Sequence, residues 1–558
     1  MTQPVTIASY NVGAMPGSGM TAVQNAPVET SSVPPVTAER TDVAPDAAPN
    51  PMSELHGSET LVIASKPTWT LEENQSKYTG WVGMAALTFA AYAMTWYQHF
   101  RELPLQPRFL FESLPLGAYI FIERLYLLIW HYRYAAGTGF VLGAMAVYEL
   151  AVVRVYKRQF DFSAPRVMDE EAWRRVRARC VALYACFVPA TFLYVTLGEY
   201  CFYVAPYPDH WYYSHFRTFY LIAAPLICVL CWPYFYCVER YARPEGAVDE
   251  FLVLSRWLKK SFAELCSGDP QQRHENAHVK NLARGLLVKF FFIPVMVSFC
   301  FGNWSNWQFH AQRFAQEFVK SDWTSVADIG RNTQAIAAMI FAFILLVDVC
   351  IGLVGYLASC RMLDTQVTSA EPTLLGWVVA LLCYPPISRG ITGIYLEYNQ
   401  DEIWSSDMYN NYAVMSIVCT ILSLGLMGAY AWATVAFGLR FSNLTNRGII
   451  ASGPYKYIRH PAYTFKNFAW WLAALPTLLF AMTHARELSY LHGMHSTRLS
   501  PGYDVPGLAL LPIFAVRLIG SNVIYGLRAI TEERHLMREP HYREYCKKVP
   551  WRFIPGVW

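Results

Sequence analysis

Residues 451–471 read ASGPYKYIRHPAYTFKNFAWW, and the reading of this stretch decides the fold. A polar strip of Tyr455, Tyr457, Arg459, His460 and Tyr463 runs without a break into an apolar segment, with Pro454 and Pro461 directing its path. Gly453-Pro454 is a turn signal. Pro461 falls where a helix would begin, a position at which its missing N–H is no loss. The free backbone N–H groups of that helix start, beside Arg459, suit a carboxylate or a phosphate. The same residues also suit a plain interfacial anchor, because tyrosines and basic side chains collect at the edges of membrane helices.

The rest of the chain explains why an apolar segment follows. Of 558 residues, 54% are hydrophobic and only 15% charged, against roughly 25% charged in a soluble domain. Several nearly uncharged runs reach the roughly 20 residues that cross a bilayer. The expected fold is all-α: a polytopic transmembrane bundle of 10–11 helices. Spans fall near 80–97, 114–130, 137–156, 180–204, 217–238, 286–303, 335–358, 374–395, 411–437, 466–483 and 506–527, the second carrying Glu123 and Arg124 near its middle. Residues 1–66 lack Trp and Phe and hold only Arg40 and Lys66 as basic residues. Such a composition cannot bury enough apolar surface to offset the entropy of ordering, so a disordered tail is expected. The division is then a tail at 1–66, N-terminal membrane helices of unassigned role at 67–369, and a C-terminal membrane domain at 370–558.

Counting Lys and Arg in alternate segments tests the topology. Segments 154–179, 239–285, 359–373, 439–466 and 527–558 hold 29 of them, and the intervening segments 205–216, 304–334, 388–410 and 484–505 hold 6. The asymmetry assigns the strip and the C-terminal tail to the cytoplasmic side. Nothing in the charge pattern points to nucleic acid; the implied surroundings are the lipid bilayer.

The second polar group closes the chain. Glu532 and Glu533 follow the last span, Tyr542 and Tyr545 share a helix face at i, i+3, and Val549-Pro550 and Phe553-Ile554-Pro555 lead back toward the membrane. Paired carboxylates there suit ribose hydroxyls or a cation, and equally a solvated juxtamembrane helix of mixed charge. His535 and His541 lack any supporting ligand spacing, so they read as surface histidines and no metal is expected. Thirteen cysteines lie mostly inside apolar runs. Cys228 and Cys231 read as packing residues on one helix face.

GPYKYIRHPAY, followed after a membrane hairpin by EERHL, HYREY and VPWRFIP, resembles the isoprenylcysteine carboxyl methyltransferase family and the related phospholipid methyltransferases. The resemblance covers roughly residues 370–558. It implies an S-adenosylmethionine pocket on the cytoplasmic side, with contacts from Arg459, His460, Tyr463, Glu532 and Glu533. Tyr542 and Tyr545 would close the site, and Tyr455, Tyr457 and Pro461 would complete the binding strip. His460, Arg459 and Glu533 are the expected catalytic group. Two departures stand out: Phe465 where the family usually has Gly, and a stretch from Glu533 to Tyr542 about two residues shorter than usual. The ending CKKVPWRFIPGVW also resembles membrane sterol reductases, which would imply NADPH and a reductase. A third reading is a non-catalytic membrane scaffold. Glu532-Glu533 favours the first, the C-terminal ending the second and Phe465 the third.

For methyl transfer, Arg459 suits the cofactor's carboxylate, tyrosine faces suit a sulfonium, and alignment is the main task. The acceptor would be a membrane lipid or a lipidated or prenylated molecule carrying a carboxylate or an amine. A carboxylate is already nucleophilic, whereas an amine must lose a proton, to His460 first. Among intramembrane acids, Glu149 and Glu199 lie toward helix ends and read as interfacial, while Asp348 lies deep and reads as an interhelical hydrogen-bonding group. His210 and His215 read as neighbours of an aromatic belt on the opposite side.

Overall fold

The computed structural model describes residues 77–102, 132–197, 210–243, 249–267, 277–318, 326–384, 387–388, 406–483 and 507–557. The chain divides into two units, Met1–Leu61 and Val62–Trp558, and all described residues belong to the second. The expected tail at 1–66, the span near 114–130 with Glu123 and Arg124, Glu199, and the side chains of His210 and His215 lie outside the described residues.

Among the described residues there are twelve α-helices: α1 Thr79–Glu102, α2 Arg133–Val147, α3 Glu170–Leu197, α4 His210–Tyr241, α5 Glu250–Ser267, α6 Ala277–Phe318, α7 Val326–Leu357, α8 Leu374–Leu381, α9 Ser406–Phe437, α10 Pro461–Thr483, α11 Gly507–Leu536 and α12 Pro540–Lys548. One two-residue antiparallel pair joins β1 Ser369–Ala370 to β2 Thr445–Asn446. Six helical segments are long and apolar enough to cross a membrane, built on α2, α3, α4, α6, α7 and α9. The protein is thus an all-α, integral membrane bundle. Elements closed by internal hydrogen bonds suit a medium with no water to satisfy the backbone.

Small residues set how closely the helices approach. A Cβ on Gly80 of α1 would lie 1.8 Å from the carbonyl oxygen of Val435 in α9, and one on Gly355 of α7 would lie 2.7 Å from that of Phe441. Membrane helices associate through such close backbone contacts because lipid tails offer no hydrophobic driving force between them. Around these crossings the core is filled by large rings, with Tyr134, Phe292 and Trp304 almost fully buried.

One expected span shortens, and Glu149, Asp348 and Cys231 each gain a definite neighbour. The expected span at 374–395 is a short helix only to Leu381, followed by turns at Leu382–Tyr384, with most of its remainder outside the described residues. Glu149, at the helix end where it was expected, is buried within the protein: it is 6% exposed and accepts a 2.5 Å hydrogen bond from Thr79 Oγ1, with the Tyr148–Val153 π-turn set against α1. Asp348 is an interhelical hydrogen-bonding group as read, accepting from Tyr430 (2.5 Å) and Thr434 (2.7 Å) of α9. Cys231 lies across from Cys180 of α3 at 3.8 Å between sulfurs, inside an apolar cluster.

Candidate active site

The strip folds as a single 3₁₀ turn, Gly453–Lys456, ahead of α10. Gly453 adopts φ +60°, a backbone region open to glycine at little cost. Tyr455 turns into an apolar cluster against Phe437 at 5.1 Å between centroids. Lys456 and Tyr457 are exposed, but the backbone of the two residues ahead of α10 is paired. Arg459 N–H donates to the Trp551 carbonyl at 2.9 Å and His460 N–H to that of Arg552 at 3.0 Å. The C-terminal tail thus takes the two N–H groups that lead into the helix start.

Those backbone bonds bring the two polar groups together. His460 Nε2 lies 3.1 Å from Glu533 Oε1, Arg459 Nη1 lies 3.2 Å from the same oxygen, and Arg552 Nε donates to Glu533 Oε2 at 2.8 Å. Glu533 lies beyond the apolar part of α11. Burial acts to raise its pKa, but the hydrogen bonds from His460 and Arg552 and the nearby positive charges outweigh it and hold the carboxyl below its usual range. Glu532 points the other way: Tyr463 Oη donates to its Oε1, and Arg528 Nη2 lies 3.7 Å from that oxygen. The His460 ring stacks on Tyr463 with centroids 5.6 Å apart and planes 4° from parallel. Tyr545 Oη donates to the Tyr455 carbonyl at 2.7 Å, fastening α12 over the strip.

A cavity of about 200 Å³ lies in front of this junction. Its wall includes Tyr455, Arg459, His460, Tyr463, Glu532, Tyr542 and Tyr545 of the expected set. Tyr457 is 66% exposed and outside the lining, as is Pro461, whose role is to start α10. Glu533 is buried behind the wall, and its carboxylate is spent on Arg459, Arg552 and the His460 ring. Arg459 is likewise committed: besides Glu533, its guanidinium donates to the Pro550 carbonyl at 2.9 Å. Phe465 does not line the cavity and packs into the main core.

Sequence reasoning missed a second set of wall residues. Arg528 is 5% exposed, donates to Asn443 Oδ1 at 3.0 Å and lies 5.2 Å from the centre of the Tyr463 ring. Arg447 donates to the carbonyls of Thr365, Gly355 and Phe441, and burial pulls its pKa down to about 10, so it stays a cation at neutral pH. A helical pattern contained part of the signal: Tyr525, Arg528 and Glu532 fall at i, i+3 and i+7 on one face of α11. Nothing local marks Asn443 or Arg447, which reach the cavity through the loop tied down by the β1–β2 pair. His535 corrects another expectation. It is 6% exposed, not a surface residue, with Nε2 2.9 Å from Ser369 Oγ and Nδ1 3.8 Å from Glu371. Burial holds its imidazole below its ordinary pKa, against the pull of Glu371. No cluster of metal-ligating side chains occurs among the described residues.

Fold and site together define a helical integral membrane protein with a polar, tyrosine-walled cavity closed by its own C-terminal tail. Residues 414–499 match the model of the Isoprenylcysteine carboxyl methyltransferase (ICMT) family, so the C-terminal region is of an isoprenylcysteine carboxyl methyltransferase-like family. The match takes in the strip and ends before the glutamate pair. No curated protein and no solved structure matches the chain.

Proposed function

We propose that the protein is a membrane S-adenosylmethionine-dependent methyltransferase that acts on a lipid-like or prenylated acceptor at the cytoplasmic side. The observation that carries this reading is the joining of the strip and the glutamate pair at one cavity, within the region whose first part matches a methyltransferase family. The basic-residue asymmetry supports the cytoplasmic assignment.

The wall chemistry fits such a cofactor. Arg528 Nε is a buried donor with no partner among the described residues, available to a ligand carboxylate. Glu532 keeps 31% of its side chain exposed and suits ribose hydroxyls, while Tyr542 and Tyr545 add aromatic rings to the wall. At about 200 Å³ the cavity is below the roughly 300 Å³ at which ordinary ligand pockets begin. It therefore suits the head of a ligand, with a lipid chain lying outside among the helices. The cofactor supplies an electrophilic methyl on a sulfonium. The chain supplies alignment and a dry surface. Glu533 acts from behind the wall, holding the His460 ring and the Arg459 guanidinium in register, so it is a positioning residue.

The test is incubation of native membranes containing the protein with methyl-labelled cofactor, followed by separation of lipid and protein fractions. Label entering either fraction, and falling to background in Glu532→Ala, supports the reading. Labelling equal to that of membranes lacking the protein rejects it.

A further inference from the structure

Lys466 is a charged residue where an apolar helix face is expected. It lies six residues along α10 from His460, roughly 9 Å of helix axis at 1.5 Å per residue, and on the same cavity wall. Its ammonium sits among three rings, 5.2 Å from the centre of Tyr430, 5.1 Å from Trp470 and 5.9 Å from Tyr525. Asp348 is near enough to act on it electrostatically, but both Asp348 oxygens already accept from Tyr430 and Thr434. Lys466 has no hydrogen bond and no ion pair to a described residue. Aromatic faces stabilise a cation without using its N–H donors, so the rings leave the three donors of this cavity-lining side chain unconsumed. A charge enclosed in this way is costly unless it is paired.

The other wall cations are held by protein groups. Arg440 pairs with Asp364 at 3.1 Å, Arg459 with Glu533 at 3.2 Å, and Arg528 faces Glu532 at 3.7 Å. Arg447 donates to three backbone carbonyls. Each of these arginines keeps one unpartnered nitrogen, whereas Lys466 has neither a hydrogen bond nor an ion pair to a described residue.

We infer that Lys466 is a specificity-determining residue that anchors the anionic headgroup of the acceptor at the membrane end of the cavity, selecting carboxylate or phosphate over amine. This deepens the methyltransferase reading and rests on it for the identity of the acceptor. With a carboxylate acceptor, one carboxylate oxygen forms the new O–CH3 bond as the S–CH3 bond breaks, and the electron pair of that bond stays on sulfur. Cation and anion become a neutral ester and a neutral thioether, a change that a low-dielectric site favours. An ammonium beside Lys466 would instead face like-charge repulsion.

The experiment uses full-length protein in detergent, with equilibrium binding of N-acetyl-S-farnesylcysteine, its carboxamide and farnesyl phosphate, and in parallel of S-adenosylhomocysteine. The expected result is that an acidic probe binds roughly tenfold or more tighter than the carboxamide, as a hydrogen bond to a charged group would give. Lys466→Gln removes that preference, Lys466→Arg keeps it, and S-adenosylhomocysteine affinity is unchanged in both, which also reports that the variants are folded. Whichever acidic probe shows the Lys466 dependence identifies the headgroup as carboxylate or phosphate. Equal binding of acid and carboxamide by the unmodified protein, or an acid preference that survives Lys466→Gln, overturns the proposal. Lys466-dependent acid binding without any S-adenosylhomocysteine binding would overturn the methyltransferase reading and leave the anchor standing.

Discussion

Glu533 shows how much one carboxylate holds in this protein. It is 3% exposed and faces His460, Arg459 and Arg552. Removing one member of such a buried group leaves the others uncompensated, at a cost of about 3–5 kcal/mol. Glu533→Gln is therefore expected to release the C-terminal tail, read as faster amide exchange across residues 549–557. The acid dependence has a definite sign. Its folded pKa is depressed, so its contribution is complete above the ordinary carboxyl range near 4.5 and is lost as pH falls through the lower folded value. Tail protection in unmodified protein should be constant from neutral pH to about pH 5 and decline below that. Asp348 holds less. Hydrogen bonds between membrane helices average below 1 kcal/mol, so Asp348→Ala should lower unfolding stability by roughly 1 kcal/mol, measured by titration with a denaturing detergent.

At the scale of the element, the α1–α9 crossing is the most demanding contact. The Cβ position of Gly80 would overlap the Val435 carbonyl, and backbone cannot move aside as a flexible side chain can. Gly80→Val should cost at least the roughly 1–3 kcal/mol of an overpacked core, read in the same unfolding titration, while Gly139→Val, where a Cβ meets nothing, should be close to neutral. The strip and the tail form an equally specific pair, because main-chain bonds from Arg459 and His460 run to Trp551 and Arg552. That pairing makes the two residues ahead of α10 a structural joint, while Tyr463 of α10 and Arg528 and Glu532 of α11 face the cavity.

For the molecule as a whole, two measurements separate the readings. S-adenosylhomocysteine at a hundredfold its dissociation constant should stabilise the protein by about 2.7 kcal/mol, and the reduced dinucleotide should not; the reverse pattern would favour the reductase reading. Sidedness has its own reporter in Cys266, which is exposed at the end of α5. A membrane-impermeant maleimide should reach it from the cytoplasmic face and leave it unlabelled from the other.

The helices and the membrane setting were legible in the sequence, since long apolar runs and their flanking charges act locally, within each segment. The polar strip was legible too, as a group of residue types that an apolar stretch does not need. The approach of His460 to Glu533 was expected only through the family resemblance, whereas the withdrawal of Glu533 behind the wall, the burial of Glu149 and His535, and the wall positions of Arg447, Asn443 and Arg528 were not legible. These depend on the angle and depth at which separate helices cross and on a two-residue strand pair that ties their loops. Local hydrophobicity sets which segments enter the membrane, but close packing between residues far apart in the chain chooses which polar side chains are left facing a common space.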